Sequence, residues 1–225
     1  MFFIWKLLLK IIIWFLIISV TSVIIFKWLT IPITPFMIKR CIVQKANDED
    51  VKLTKDWVPI DQISKHLKLA VISCEDQRFH EHNGFDFEAM KKAMFENEKG
   101  KRLRGGSTIS QQTAKNVFLL DGRNYIRKAF EAYFTFLIEL IWGKERIMEC
   151  YLNVIEFGNG IYGAEAAAQF YFNKPAVNLT KEQAATLAVL LPNPRVYGKN
   201  INGNYVQKRK KWALQQMSYL NSKVE

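Results

Sequence analysis

The chain has 225 residues, 49% of them apolar and 24% charged, with a formal net charge of +11. Once an apolar N-terminal run is set aside, one domain of ordinary size remains, long enough to bury a core. Cys41, Cys74 and Cys150 are odd in number and lack metal-ligand spacing, which excludes a disulfide framework and a structural zinc site. The charge excess calls for an anionic partner, with nucleic acid, anionic lipid and phosphorylated substrate the usual classes.

Residues 1–30 read as a membrane anchor. Ile11 to Phe26 is apolar apart from Ser19, Thr21 and Ser22, and Phe2–Trp5 and Leu7–Leu9 extend the run across Lys6 and Lys10. A helix from Leu7 to Leu29 would span a hydrocarbon core of about 30 Å, with Lys6 and Lys10 snorkelling to the cytoplasmic surface. The run is too long for a signal-peptide core, and no small-x-small cleavage site follows it, so retention of the anchor is expected. Residues 31–56 read as a connector: Ile31–Pro35 is stiff and non-helical, and 45–56 is polar surface.

From residue 57 to 225 the pattern is that of an all-α globule. Ile63, Leu67, Ala70, Val71 and Cys74 form one helical stripe. A second helix is predicted from Ser107 or Thr108, where Thr108 with Gln111 makes a capping-box pattern. Asp121-Gly122 breaks the chain. Tyr125–Trp142 follows as a long helix that stops at Gly143, and Lys144–Val154 as another. Thr180 with Gln183 caps a helix running to Leu191, and Asn204–Leu220 gives a last, basic helix. No alternating stretch argues for a strand.

Four segments could carry chemistry. Glu75, beside Asp76, sits at the edge of the apolar stripe, four residues after Val71, where partial desolvation would raise its pKa toward the range of a general base. Polar, aromatic and turn residues crowd behind it in EDQRFHEHNGFD, including Phe79, His82 and Gly84, although His80 and His82 lack zinc spacing. Gly105-Gly106-Ser107-Thr108 precedes a helix N-terminus, a place suited to an anion. Lys101, Arg102 and Arg104 beside it make a basic, mobile loop. Arg123, Arg127 and Lys128 gather near the start of the 125–142 helix, with Glu131 one turn on. Base before acid is the weaker order for helix pairs, and cations there oppose the macrodipole, so the cluster suggests an anionic ligand. Glu149-Cys150-Tyr151-Leu152-Asn153 and the glycine and alanine run after it read as close helix packing, with Glu149 and Asn153 facing the cleft.

Taken together, EDQRFHEHNGFD (75–86), GGSTISQQTAKN (105–116), RKAFE (127–131), KERIMECYLNVIEFGNGIYGAEAAAQFYF (144–172) and LTKEQAATLAVLLPNP (179–194) resemble glycosyltransferase family 51, the peptidoglycan glycosyltransferases, in the family's order. The single anchor and short connector are similar to those of its stand-alone, monofunctional members. The resemblance implies a lysozyme-like helical fold with a small membrane-facing lobe behind an N-terminal transmembrane helix. It implies Glu75 as the base that deprotonates the 4-hydroxyl of a lipid II acceptor. That oxygen attacks the growing chain with inversion, and undecaprenyl diphosphate leaves. Glu131 matches the second functional glutamate. Lys115, Arg123, Arg127 and Lys128 match diphosphate-contacting positions, and Asp76, Phe79, His82, Gly84, Ser107, Thr108, Gln111, Gln112, Asn116, Glu149 and Asn153 match residues of the cleft. A loosely held divalent cation, Mg²⁺ or Mn²⁺, is implied, with a place for it near Glu131.

The implied partners are lipid II, the growing glycan chain, the cytoplasmic membrane and other cell-wall synthases, and not nucleic acid, with the catalytic domain on the extracytoplasmic side. A diphosphate leaving group needs positive charge where negative charge develops, which agrees with the basic cluster. The alternatives are a lysozyme-like or lytic enzyme that cuts the same polymer with a glutamate, and a non-enzymatic membrane scaffold. The first would not need the basic cluster, and the second would not need two embedded glutamates. Cys74 places an oxidisable thiol beside the base.

Overall fold

The computed structural model describes residues 2–98, 106–120, 122 and 124–224. Helix α1 (Phe2–Trp28) is the apolar run. An 18-residue run within Ile4–Trp28 has a mean hydropathy of 2.6, and only 11% of it is buried. At 1.5 Å per residue Ile4–Trp28 is about 37 Å long, enough to cross a membrane.

The helix is docked on the domain as well as projecting from it. Ser19 and Val23 are buried. The Ser19 and Tyr133 hydroxyls lie 2.8 Å apart, and the Trp142 indole N–H donates to the Val23 carbonyl at 2.7 Å. Arg146 then donates to the carbonyls of Phe26 and Leu29 at the helix's C-terminal end. These are orphan acceptors at the negative end of the macrodipole, where a cation is favourable.

The stretch 31–56, expected as a connector, holds more structure than its composition suggests. Helix α2 (Pro35–Ala46) starts with proline in its first turn, where no N–H is needed, and Thr34 caps it by accepting from the Met37 N–H. Strand β1 (Thr54–Lys55) pairs with residues more than a hundred positions on. Helix α3 (Lys65–Glu75) follows, capped by the Ser64 hydroxyl, and α4 (Phe87–Glu98) comes next. No sequence pattern marks α4, because its apolar Phe87, Met94 and Phe95 are exposed and form no buried stripe. Helix α5 (Ile109–Phe118) has the reciprocal Thr108–Gln111 capping box that the sequence predicts. Helices α6 (Tyr125–Ile141) and α7 (Lys144–Val154) also fall where predicted.

A small sheet then forms from β2 (Glu156–Gly158) and β3 (Ile161–Tyr162), with β3 between β1, parallel, and β2, antiparallel. Strands of two or three residues are too short to show alternation, so the sequence pointed to helices alone; the architecture is all-α around this clip. Helices α8 (Ala164–Phe172), α9 (Lys181–Leu190, again with a capping box), α10 (Pro194–Tyr197) and α11 (Asn204–Val224) complete the chain. The core joins α3, α9 and α11 on one side with α5, α6 and α7 on the other. Alanines 184, 185 and 188 of α9 are wholly buried and allow close helix approach.

Candidate active site

Leu67, Ala70 and Val71 bury one face of α3 against α9 and α11, and that packing delivers Glu75, the last residue of α3, to the wall of a cleft of about 930 Å³. The cleft is lined by Ser73 to Arg78, by Asp86 and residues of α4, by Gly106, Ser107, Thr108 and Gln112, and by Tyr205, Arg209 and Trp212 of α11. Glu75 is half-buried. Desolvation raises its pKa above the ordinary glutamate value. A hydrogen bond from Gln112 (Nε2 to Oε2, 2.8 Å) opposes that rise, as do the charges of Lys115 and Arg209. One oxygen is therefore held while the carboxyl is made more basic than usual, which suits proton abstraction. Burial pushes the neighbouring Cys74 thiol up to about 12, which disfavours the thiolate and makes it a poor nucleophile.

Asp76 works as a structural hub. Its carboxylate accepts from the Ile109 backbone N–H at 3.0 Å and from His82 Nε2 at 3.0 Å, tying the end of α3 to the start of α5. The Gly84 N–H donates to His82 Nδ1, so the hydrogen of the ring sits on Nε2, facing Asp76. Gly84 has φ +91°, and a Cβ there would lie 2.8 Å from Thr135 Cγ2, so both conformation and space call for glycine. Its carbonyl accepts from the Thr108 hydroxyl at 2.6 Å. Phe79 is fully buried beneath the Lys144 ammonium, and Gln111 and Asn116 are buried in the capping and backbone bonds of α5.

The second glutamate lies outside this cleft. Glu131 is 2% exposed on α6, where Arg127 Nη1 reaches one carboxylate oxygen at 2.6 Å and Lys128 Nζ the other. A carboxylate so buried needs such partners. Among the described residues the Arg127 Nε is buried without a partner, and Lys128 remains partly exposed. Arg123, Gly105, Lys101, Arg102 and Arg104 lie outside the described residues.

Glu149 and Asn153 take structural places. Glu149 pairs with Arg146 at 3.1 Å, holding the residue that caps α1. Asn153 is fully buried and spends its amide on the N–H and carbonyl of Val58. Among the described residues no group of three or more His, Cys, Asp or Glu side chains could hold a metal ion. Both Glu131 oxygens are engaged by cations, so the surroundings of that residue do not fit a resident divalent ion.

The residues missed from sequence are Arg209, Trp212 and Tyr205, and behind the cleft Tyr151. The basic character of α11 was visible, but only its packing on α3 brings Arg209 beside Glu75.

A profile of the transglycosylase family matches residues 42–218. The chain is 47% identical over 211 residues to a protein of Pseudomonas syringae pv. syringae (strain B728a), covering 94% of this chain and 89% of that one. It is 49% identical over 202 residues to one of Aeromonas hydrophila, covering 90% and 85%, and 51% identical over 200 residues to one of Bacteroides thetaiotaomicron, covering 89% and 81%. Each of these is named a biosynthetic peptidoglycan transglycosylase. The matched span takes in the whole cleft, Glu131 and its cations, and the chain belongs to the transglycosylase family.

Proposed function

We propose that the chain is a peptidoglycan glycosyltransferase that polymerises lipid II outside the cytoplasmic membrane, with Glu75 as general base. The observation that carries this reading is Glu75 itself, a basic-shifted carboxyl at the wall of the cleft with one oxygen held by Gln112. The base takes the proton of the acceptor's 4-hydroxyl, the freed oxygen attacks the anomeric carbon of the growing chain with inversion, and undecaprenyl diphosphate departs. Lys115, Arg127 and Lys128 supply positive charge where the leaving group gains negative charge. Glu131 keeps two of these cations in place. A docked apolar anchor keeps the cleft close to a lipid-linked substrate. Other synthases of the wall are proposed to work beside it. A Mg²⁺ or Mn²⁺ ion would enter with the substrate diphosphate, as Mg²⁺ commonly does, with few protein ligands.

The test is turnover of lipid II by the full chain and by Glu75→Gln. Glutamine keeps the shape but accepts no proton, and loss of a general base lowers turnover by about 10²–10⁴-fold. Near-normal polymerisation by the variant would sink the base assignment. Glycan fragments from preformed polymer, in place of new polymer, would turn the reading toward a cutting enzyme.

A further inference from the structure

Behind Glu75 a line of hydrogen bonds runs into the core. Gln112 Nε2 donates to Glu75 Oε2 at 2.8 Å, and the Tyr151 hydroxyl donates to Gln112 Oε1 at 3.1 Å. Tyr151 is fully buried on α7. We propose that Tyr151 is a positioning residue for the base, acting through Gln112 by fixing which end of the amide faces Glu75. The inference rests on the reading of Glu75 as base.

A glutamine side chain is nearly symmetrical in shape, and turning it over exchanges a donor for an acceptor. With NH₂ toward Glu75, the ionised carboxylate is supported. With the carbonyl toward Glu75, only the protonated acid is. The tyrosine hydroxyl selects the first arrangement by satisfying the carbonyl on the far side. It remains a donor at working pH, because burial, together with Glu75, Asp76 and Cys74 nearby, holds its pKa well above the ordinary phenol value. The other groups facing Glu75 are Lys115 from α5, Arg209 from α11, Cys74 on its own helix and Asp76 just past the end of that helix. The Gln112 amide itself bonds to Glu75 on one side and Tyr151 on the other.

In Tyr151→Phe the carbonyl of Gln112 loses its partner whenever Glu75 is ionised. Once Glu75 is protonated, the amide can turn and accept from it. The protonated form gains an option that the ionised form lacks, so the pKa of Glu75 rises. The acid limb of turnover against pH should move upward by about half a unit, with kcat on that limb down by about threefold and KM little changed. Tyr162→Phe is the control: its hydroxyl is buried with no partner among the described residues, and its loss should leave the limb in place. Gln112→Leu should move the limb in the same direction, and combining it with Tyr151→Phe should add nothing further, since both break one line. A limb for Tyr151→Phe that superimposes on the wild type overturns the proposal, as do additive shifts in the double variant. Should Tyr151→Phe not fold, an unmoved limb in Gln112→Leu overturns it equally. An inactive Glu75→Gln with an unmoved Tyr151→Phe limb leaves the base standing and removes the relay. An active Glu75→Gln removes the base itself.

Discussion

Replacing Arg146 with alanine should release the membrane helix from the catalytic domain without releasing it from the membrane. The guanidinium is 13% exposed. It donates twice to the Phe26 carbonyl, at 2.8 and 3.2 Å, and once to that of Leu29. It also pairs with Glu149 at 3.1 Å and lies over the Trp57 ring at 5.2 Å. Hydrogen bonds from a charged group contribute roughly 1.5–3 kcal/mol each, but these share one side chain and are not additive, so about 3 kcal/mol is a fair total. That is about a hundredfold in the ratio of docked to undocked helix. The apolar surface that holds α1 in a bilayer is untouched. Limited proteolysis in residues 29–34 of the purified protein in lipid nanodiscs reads the docking directly. Cleavage should be much faster in Arg146→Ala, and intermediate in Arg146→Lys, since an ammonium is a point charge that cannot span both carbonyls as a fork does. Equal protection of all three proteins would refute this account of α1.

Glu75→Gln should also stabilise the fold near neutral pH. The folded-state pKa of Glu75 is raised, so its ionisation works against folding, and that penalty is absent below the ordinary glutamate range and complete above the raised value. The melting advantage of the variant should shrink as pH falls toward that range, and a lower melting temperature at neutral pH would contradict the desolvation argument. Glu131→Gln should do the opposite, since breaking a buried ion pair costs about 3 kcal/mol. It should lower turnover while affinity for a lipid-diphosphate ligand holds or tightens, whereas Lys128→Ala should weaken both. Parallel behaviour of the two variants would count against the division of roles. A chain starting at residue 30 loses the partners of Tyr133, Trp142 and Arg146, and should retain weaker activity in detergent, whereas full activity there would make α1 a mere tether.

What the sequence disclosed follows from the range of the interactions concerned. Capping residues sit three positions from their partners, so the starts of α5 at Thr108 and α9 at Thr180 were legible, as were the bounds of α7. Helix α2 was hidden because Pro35 reads as a breaker until Thr34 is seen to cap it. The sheet was hidden because Thr54 and Lys55 find Ile161 and Tyr162 only in the folded chain. In the site, Glu75 was legible from its place on the α3 stripe, and the Arg127–Lys128–Glu131 cluster from its order along α6. The depth at which Glu131 is buried was not, since that depends on what packs against α6. Glu149 and Asn153 were assigned to the cleft by their motif, yet their partners are Arg146 on the same helix and the distant Val58 backbone. Arg209 and Trp212 line the cleft with Glu75 because α11 packs on α3, a pairing across more than a hundred residues that no local pattern records.

Helix α7 links the apolar helix α1 to the cleft at Glu75. Arg146, near its start, holds the end of α1, and Tyr151, five residues on, holds the amide that faces Glu75. At 1.5 Å per residue the two positions are about 7.5 Å apart along one hydrogen-bonded rod. Tyr151 and Leu152 are fully buried, Asn153 ties the far end to Val58, and Ile147 packs in the core, so α7 has little freedom to shift by itself. A tilt of α1 relative to the domain must therefore work against the Arg146 bonds and against the contacts of Ser19 with Tyr133 and of Val23 with Trp142. Because the Arg146 bonds go to main-chain carbonyls, they fix where α1 ends but do not depend on which apolar side chains α1 carries. The apolar side chains of α1 that face away from the domain can thus vary while its last turn stays held by Arg146.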